Sequence, residues 1–143
     1  MIIPDVNLLV YAYNTDAPHH EEAREWWECC LSERQTVGIP WVVSLGFVRI
    51  MTSRVVLTDP VDPVEALAHV RSWLERPQAH VLVPGPRHLV ILTEIMASAR
   101  ALGRLTTDAH LAAIAIETQA ELHSNDADFS RFPGLRWVNP LEG

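Results

Sequence analysis

The stretch that decides the fold is MIIPDVNLLVYAYN, Met1–Asn14. Apart from Pro4, Asp5 and Asn7, its first thirteen residues are apolar or aromatic. Such a run goes to the interior of a folded chain, where an unpaired carboxylate is costly. Yet Asp5 lies in the middle of it. Two readings account for that. Asp is a favoured helix N-cap, so Asp5 would open a helix over Val6–Tyr13 after a short buried strand at Met1–Pro4. Alternatively, Asp5 is a metal ligand delivered by the end of that strand. One residue can serve both purposes.

Working outward, the same alternation recurs. HHEEAREWWECCLSER, from His19, is an amphipathic helix following Pro18. VGIP at Val37 is a short strand, and Pro40 starts the helix WVVSLGFVRIMTSR. DPVDP is a loop whose Pro63 opens the helix VEALAHVRSWLER, which Pro77 ends. AHVLVPG is a strand closed by Pro84 and Gly85. RHLVILTEIMASARALG is a helix with Gly103 as its expected C-cap. LTTDAHLAAIAIETQA is another, with Thr and Asp in capping positions at its start. AELHSND holds a short strand, DFSRFPGL a loop and RWVNP a last strand. This order predicts a single α/β domain over residues 1–143. Its core is a parallel sheet of about four to five short strands with helices on both faces. In such sheets the site lies at the carboxyl ends of the strands.

Composition narrows the function. The 143 residues carry a formal charge of −7, which argues against a coat protein that binds nucleic acid through basic patches. It leaves room for an enzyme whose bound cation supplies local positive charge. All 11 basic residues are Arg, each a planar fork suited to phosphate or carboxylate. Cys29 and Cys30 are neighbours on a helix and fit neither a disulfide framework nor a zinc pattern. They read as reduced thiols of a cytoplasmic protein. MIIPDVNLLV lacks the positive leading region of a signal peptide, and no apolar run reaches the ~20 residues of a membrane span.

The acidic residues divide into two sets. Glu21, Glu22, Glu25, Glu28, Glu65 and Glu75 lie on solvated helix faces. Asp5 follows the first strand, Asp126 and Asp128 follow the strand around Leu122, and Asp108 starts a helix. Three distant segments thus deliver carboxylates to one expected edge. Clustered carboxylates repel, and a hard divalent ion relieves the repulsion. Mg²⁺, with Mn²⁺ as a substitute, suits oxygen ligands; zinc would want His or Cys. Taken singly, Asp108 and Asp126 are better explained as ordinary cap or turn residues; taken together, their placement favours the metal reading.

MIIPDVNLLVYAYN, TTDAHLAAIAI and LHSNDADFSRFPGLRWVNP together resemble PIN domains, and more closely the VapC toxins of bacterial VapBC toxin–antitoxin pairs. The resemblance spans essentially the whole chain. It implies a PIN-like α/β fold and a Mg²⁺-dependent endoribonuclease. It also implies inhibition by a VapB-like antitoxin and a homodimer, with no membrane association. By the same resemblance Asp5, Asp108 and Asp126 are metal-binding and catalytic, and Asp128 is the further catalytic acid of the last motif. Asn7 and Ser124 match polar positions that orient those carboxylates.

One departure stands out. Many relatives carry a Glu in the helix after the second strand, where this chain has Gly46. No acid lies between Glu33 and Asp59. Arg49, about one helical turn on, could face substrate phosphate. The missing Glu supports an alternative, a catalytically weakened PIN-like module that binds RNA or an antitoxin. A phosphatase with Asp5 as covalent nucleophile is disfavoured, because Asn7 stands where its second Asp belongs. His19, His20 and His110 lack metal spacing. Ser44 has no His–Asp partnership. The five Trp residues are expected mainly in packing.

Overall fold

The computed structural model describes residues 1–142. The sheet contains β1 (Ile2–Pro4), β2 (Val37–Pro40), β3 (Ala79–Leu82), β4 (Glu121–His123) and β5 (Arg136–Val138). They lie in the order β3-β2-β1-β4-β5, and every pair is parallel. The helices are α1 (Val6–Tyr13), α2 (His20–Ser32), α3 (Trp41–Met51), α4 (Pro63–Leu74), α5 (His88–Ala99) and α6 (Thr106–Thr118). Short 3-10 turns occupy Gly103–Leu105 and Ala127–Arg131.

The opening run is the middle strand of the sheet. All of Ile2, Ile3 and Pro4 are buried, as a strand covered on both faces must be. Its register against β4 pairs Ile2 with Glu121, Ile3 with Leu122 and Pro4 with His123. The two strands therefore end level, and Asp5 and Ser124 leave the sheet side by side.

The helices bury the stripes their sequences show. In α3, Val43, Phe47 and Met51 face the core, while Trp41, Leu45 and Arg49 form the opposite, exposed row. An aromatic pile ties four helices together: Trp73 meets Phe47 at 4.8 Å, Trp27 at 5.5 Å and Tyr13 at 5.9 Å between ring centroids. The Trp73 indole N–H donates to the Tyr13 hydroxyl at 2.8 Å. In α6, Ala109 and Leu111 through Ala115 are all buried, as expected for a helix apolar nearly all round. Of the five Trp residues only Trp41 is exposed, at 50%.

Two helix ends differ from expectation. Gly103 does not cap α5, which stops at Ala99, four residues earlier. Arg100 takes the left-handed turn at φ 51°, and its N–H and that of Ala101 satisfy the last carbonyls. Likewise no side chain caps α6. Its N-cap is Leu105, with Thr106, Thr107 and Asp108 inside the first turn. That leaves the Asp108 carboxylate free of a backbone N–H.

Candidate active site

Asp5 directly follows β1 and opens α1. It is the N-cap of α1, and its Oδ1 accepts the Val6 N–H at 2.8 Å. Its own N–H donates to the His123 carbonyl at 2.9 Å, extending the β1–β4 pairing by one bond. Its Oδ2 accepts from the Ser124 hydroxyl at 2.7 Å. Asp5 is only 9% exposed. Burial pushes its carboxyl above the usual range, with Asp126 adding to the rise, while the Ser124 and Val6 hydrogen bonds oppose it.

Ser124 is the hub. Fully buried, it donates to Asp5 and accepts from the Asp126 N–H at 3.0 Å and from Asn7 Nδ2 at 3.4 Å. Its carbonyl accepts the Trp137 indole N–H at 3.0 Å, which anchors it to β5. Asp126 in turn caps the following 3-10 turn, accepting the Asp128 N–H at 2.9 Å. Buried Phe129 and Phe132 hold that turn against the core.

Asp108 reaches the same place from α6. Its carboxyl is pushed up to about 6, first by desolvation and then by the negative charges of Asp5, Asp126 and Asp128; Arg104 pulls the other way. Asp5, Asn7, Asp108 and Asp126 all line one cleft of about 660 Å³, together with Gly46, Arg49 and Thr107. Asp128 stands at its rim instead, with Oδ2 3.4 Å from Arg104 Nη1. The cleft lining contains no His or Cys among the described residues.

Gly46 marks where α3 crosses α1. A Cβ there would lie 2.8 Å from Val6 Cγ2, so any side chain at 46 requires Val6 to move. Of the residues lining the cleft, Thr107 and Val6 carried no signal that singled them out beforehand. Thr107 lies beside Asp108 within TTDAH, and the Val6–Gly46 contact joins segments 40 positions apart.

The PIN domain model matches residues 2–135. The chain is 44% identical to ribonuclease VapC33 of Mycobacterium tuberculosis, an alignment covering 99% of each protein.

The chain belongs to the PIN domain family.

Within that family its sequence relatives are VapC ribonucleases. VapC37 of the same organism is 39% identical, over 98% of this chain and 97% of that protein. The PIN fold itself is matched by VapBC2 from Rickettsia felis, solved with a promoter DNA fragment. That structure has a TM-score of 0.72 at 20% identity, covering 97% of this chain and 98% of that one.

Proposed function

We propose that this PIN protein is the toxin of a type II toxin–antitoxin pair, a divalent-ion-dependent endoribonuclease that hydrolyses RNA phosphodiester bonds. One observation carries the reading: Asp5, Asp108 and Asp126, from three distant segments, face one cleft at the carboxyl edge of the sheet. The identity to VapC ribonucleases supplies the substrate class.

The donor set suits Mg²⁺ or Mn²⁺. It is oxygen only, and desolvation, with the neighbouring negative charges adding to it, lifts the Asp108 carboxyl. Asn7 Oδ1 adds a buried oxygen with no protein hydrogen-bond partner. No three His, Cys, Asp or Glu side chains among the described residues enclose a site by themselves. Mg²⁺ keeps several waters in its shell, so it does not need an all-protein cage. Asp5, Asp108 and Asp126 would hold the cation, which when bound activates water and neutralises phosphate charge. The chain's residues set the geometry. Ser124 fixes the Asp5 oxygen and the Asp126 backbone through one hydroxyl. A carboxylate oxygen left free accepts the proton lost by the attacking water. Arg49, exposed in the cleft wall with no ion-pair partner among the described residues, faces the phosphate. Asp128, paired with Arg104 at the rim, supports the site electrostatically.

The expected partners are a VapB-like antitoxin and a second copy of the chain. Leu89 at 73% and Val90 at 55% exposure on α5 supply apolar surface for self-association. The test of function is RNA cleavage with added Mg²⁺ or Mn²⁺. Asp5→Asn and Asp108→Asn should each lower the rate at least about a hundredfold; unchanged cleavage would sink the assignment. Retained RNA affinity without cleavage in any divalent ion would favour the binding-module alternative, for which Gly46 is the supporting residue.

A further inference from the structure

The carboxylates make up only part of the cleft lining. Much of the remaining wall is apolar, including Val10 and Tyr11 of α1 and Val42, Leu45 and Ile50 of α3. Leu45 stays 59% exposed, a large apolar side chain that the fold itself does not cover. At Gly46 the two helices pack closely, with Val6 of α1 filling the space a side chain would take. Arg49, one turn beyond Leu45, sets on the same row a cation with no ion-pair partner among the described residues. Hydrolysis of a phosphodiester uses the carboxylates and a cation for the phosphate. The aromatic and aliphatic wall they share suits a flat, weakly polar group attached to that phosphate.

We propose that this wall is a nucleobase subsite, which seats the base of a nucleotide flanking the scissile bond against Leu45, Ile50 and Tyr11 while Arg49 holds its phosphate. The proposal rests on the ribonuclease reading and adds to it the residues that set sequence preference. Charge complementarity points to RNA as the occupant: a bare Arg beside an apolar wall matches a base joined to a phosphate.

The test uses the full chain and one single-stranded RNA oligomer that the wild type cleaves. A matching set carries an abasic nucleotide at each position in turn. One abasic position beside the cleaved bond should raise KM about tenfold, and the others should change it little. Leu45→Ser replaces an exposed side chain and should fold normally. It should erase most of that difference. Arg49→Ala should raise KM equally for intact and abasic RNA and reduce the salt slope by about one. The subsite is overturned if every abasic oligomer shows the wild-type KM, or if Leu45→Ser leaves the base dependence intact. It is likewise overturned if Leu45→Ser disrupts only self-association or antitoxin binding, since the wall then belongs to a protein. Failure of the wild type to cleave any RNA would remove the ribonuclease reading instead. Affinity for a single-stranded RNA oligomer that the wild type binds, with an abasic nucleotide at each position in turn, read by fluorescence anisotropy, would then decide the subsite: a tenfold loss at one abasic position supports it, and no loss overturns it.

Discussion

Ser124 uses the whole capacity of its hydroxyl, one donor and two acceptors, inside a fully buried position. Ser124→Ala leaves the Asp126 N–H without its acceptor and Asp5 without its donor. It should cost about 1–3 kcal/mol in urea unfolding and lower cleavage about 10–100-fold. A loss of stability alone would make Ser124 merely structural. Asp108 predicts the opposite sign for stability. Its folded-state pKa is raised to about 6, so ionising it penalises the fold as pH rises from about 4 towards 6. Without divalent ions, Asp108→Asn should stabilise the protein by about 1 kcal/mol at pH 7, after allowance for partial solvent screening. That gain should vanish near pH 4. Gly46 belongs to the same scale. Gly46→Glu should lower stability by about 1–3 kcal/mol, and Val6→Ala in the same chain should recover part of the loss. The acids at 5, 108 and 126 were legible because each followed a strand or opened a helix. The reason for Gly46 was not, since it lies in the van der Waals radius of Val6.

At the scale of elements, α2 docks on the sheet through an unexpected polar contact. The Trp26 indole N–H donates to His123 Nδ1 at 3.1 Å, so the ring proton sits on Nε2 and is shared with Glu121 Oε1 at 3.2 Å. Burial holds the His123 pKa below its ordinary value. A folded-state pKa below the unfolded value of about 6.5 means the unfolded chain takes up protons first. The contribution is therefore present above that pH and lost as pH falls through it. Urea midpoints of the wild type should fall from pH 7 to 5 more steeply than those of His123→Asn. Parallel slopes would show that this contact carries no such linkage. The helices and strands themselves were legible from periodicity and from Pro and Gly punctuation. What the chain could not display was pairing order. Nothing local says that Met1–Pro4 lies between β2 and β4, because that follows from contacts more than 30 residues apart. The end of α5 was misplaced for a related reason. Arg100 adopts a conformation usually left to Gly, and packing sets where the helix stops.

For the whole molecule, a formal charge of −7 with carboxylates gathered in one cleft predicts that cation binding and folding are linked. No helix among the described residues is long and apolar enough to cross a membrane. A divalent ion that binds the folded state at 100 times its Kd adds about 2.7 kcal/mol, so Mg²⁺ should raise Tm and a chelator should reverse the rise. The function class was legible because three acidic motifs in the right order resemble one family over the full chain. The sequence preference was not, because it depends on which side chains two crossing helices leave bare. The central claim is that Asp5, Asp108 and Asp126 form one cation site. Calorimetric titration of Mn²⁺ into the wild type and into Asp5→Ala tests it most directly. Saturable binding to the wild type, weakened at least about tenfold in the variant, is the predicted result. Equal binding to both proteins would contradict it.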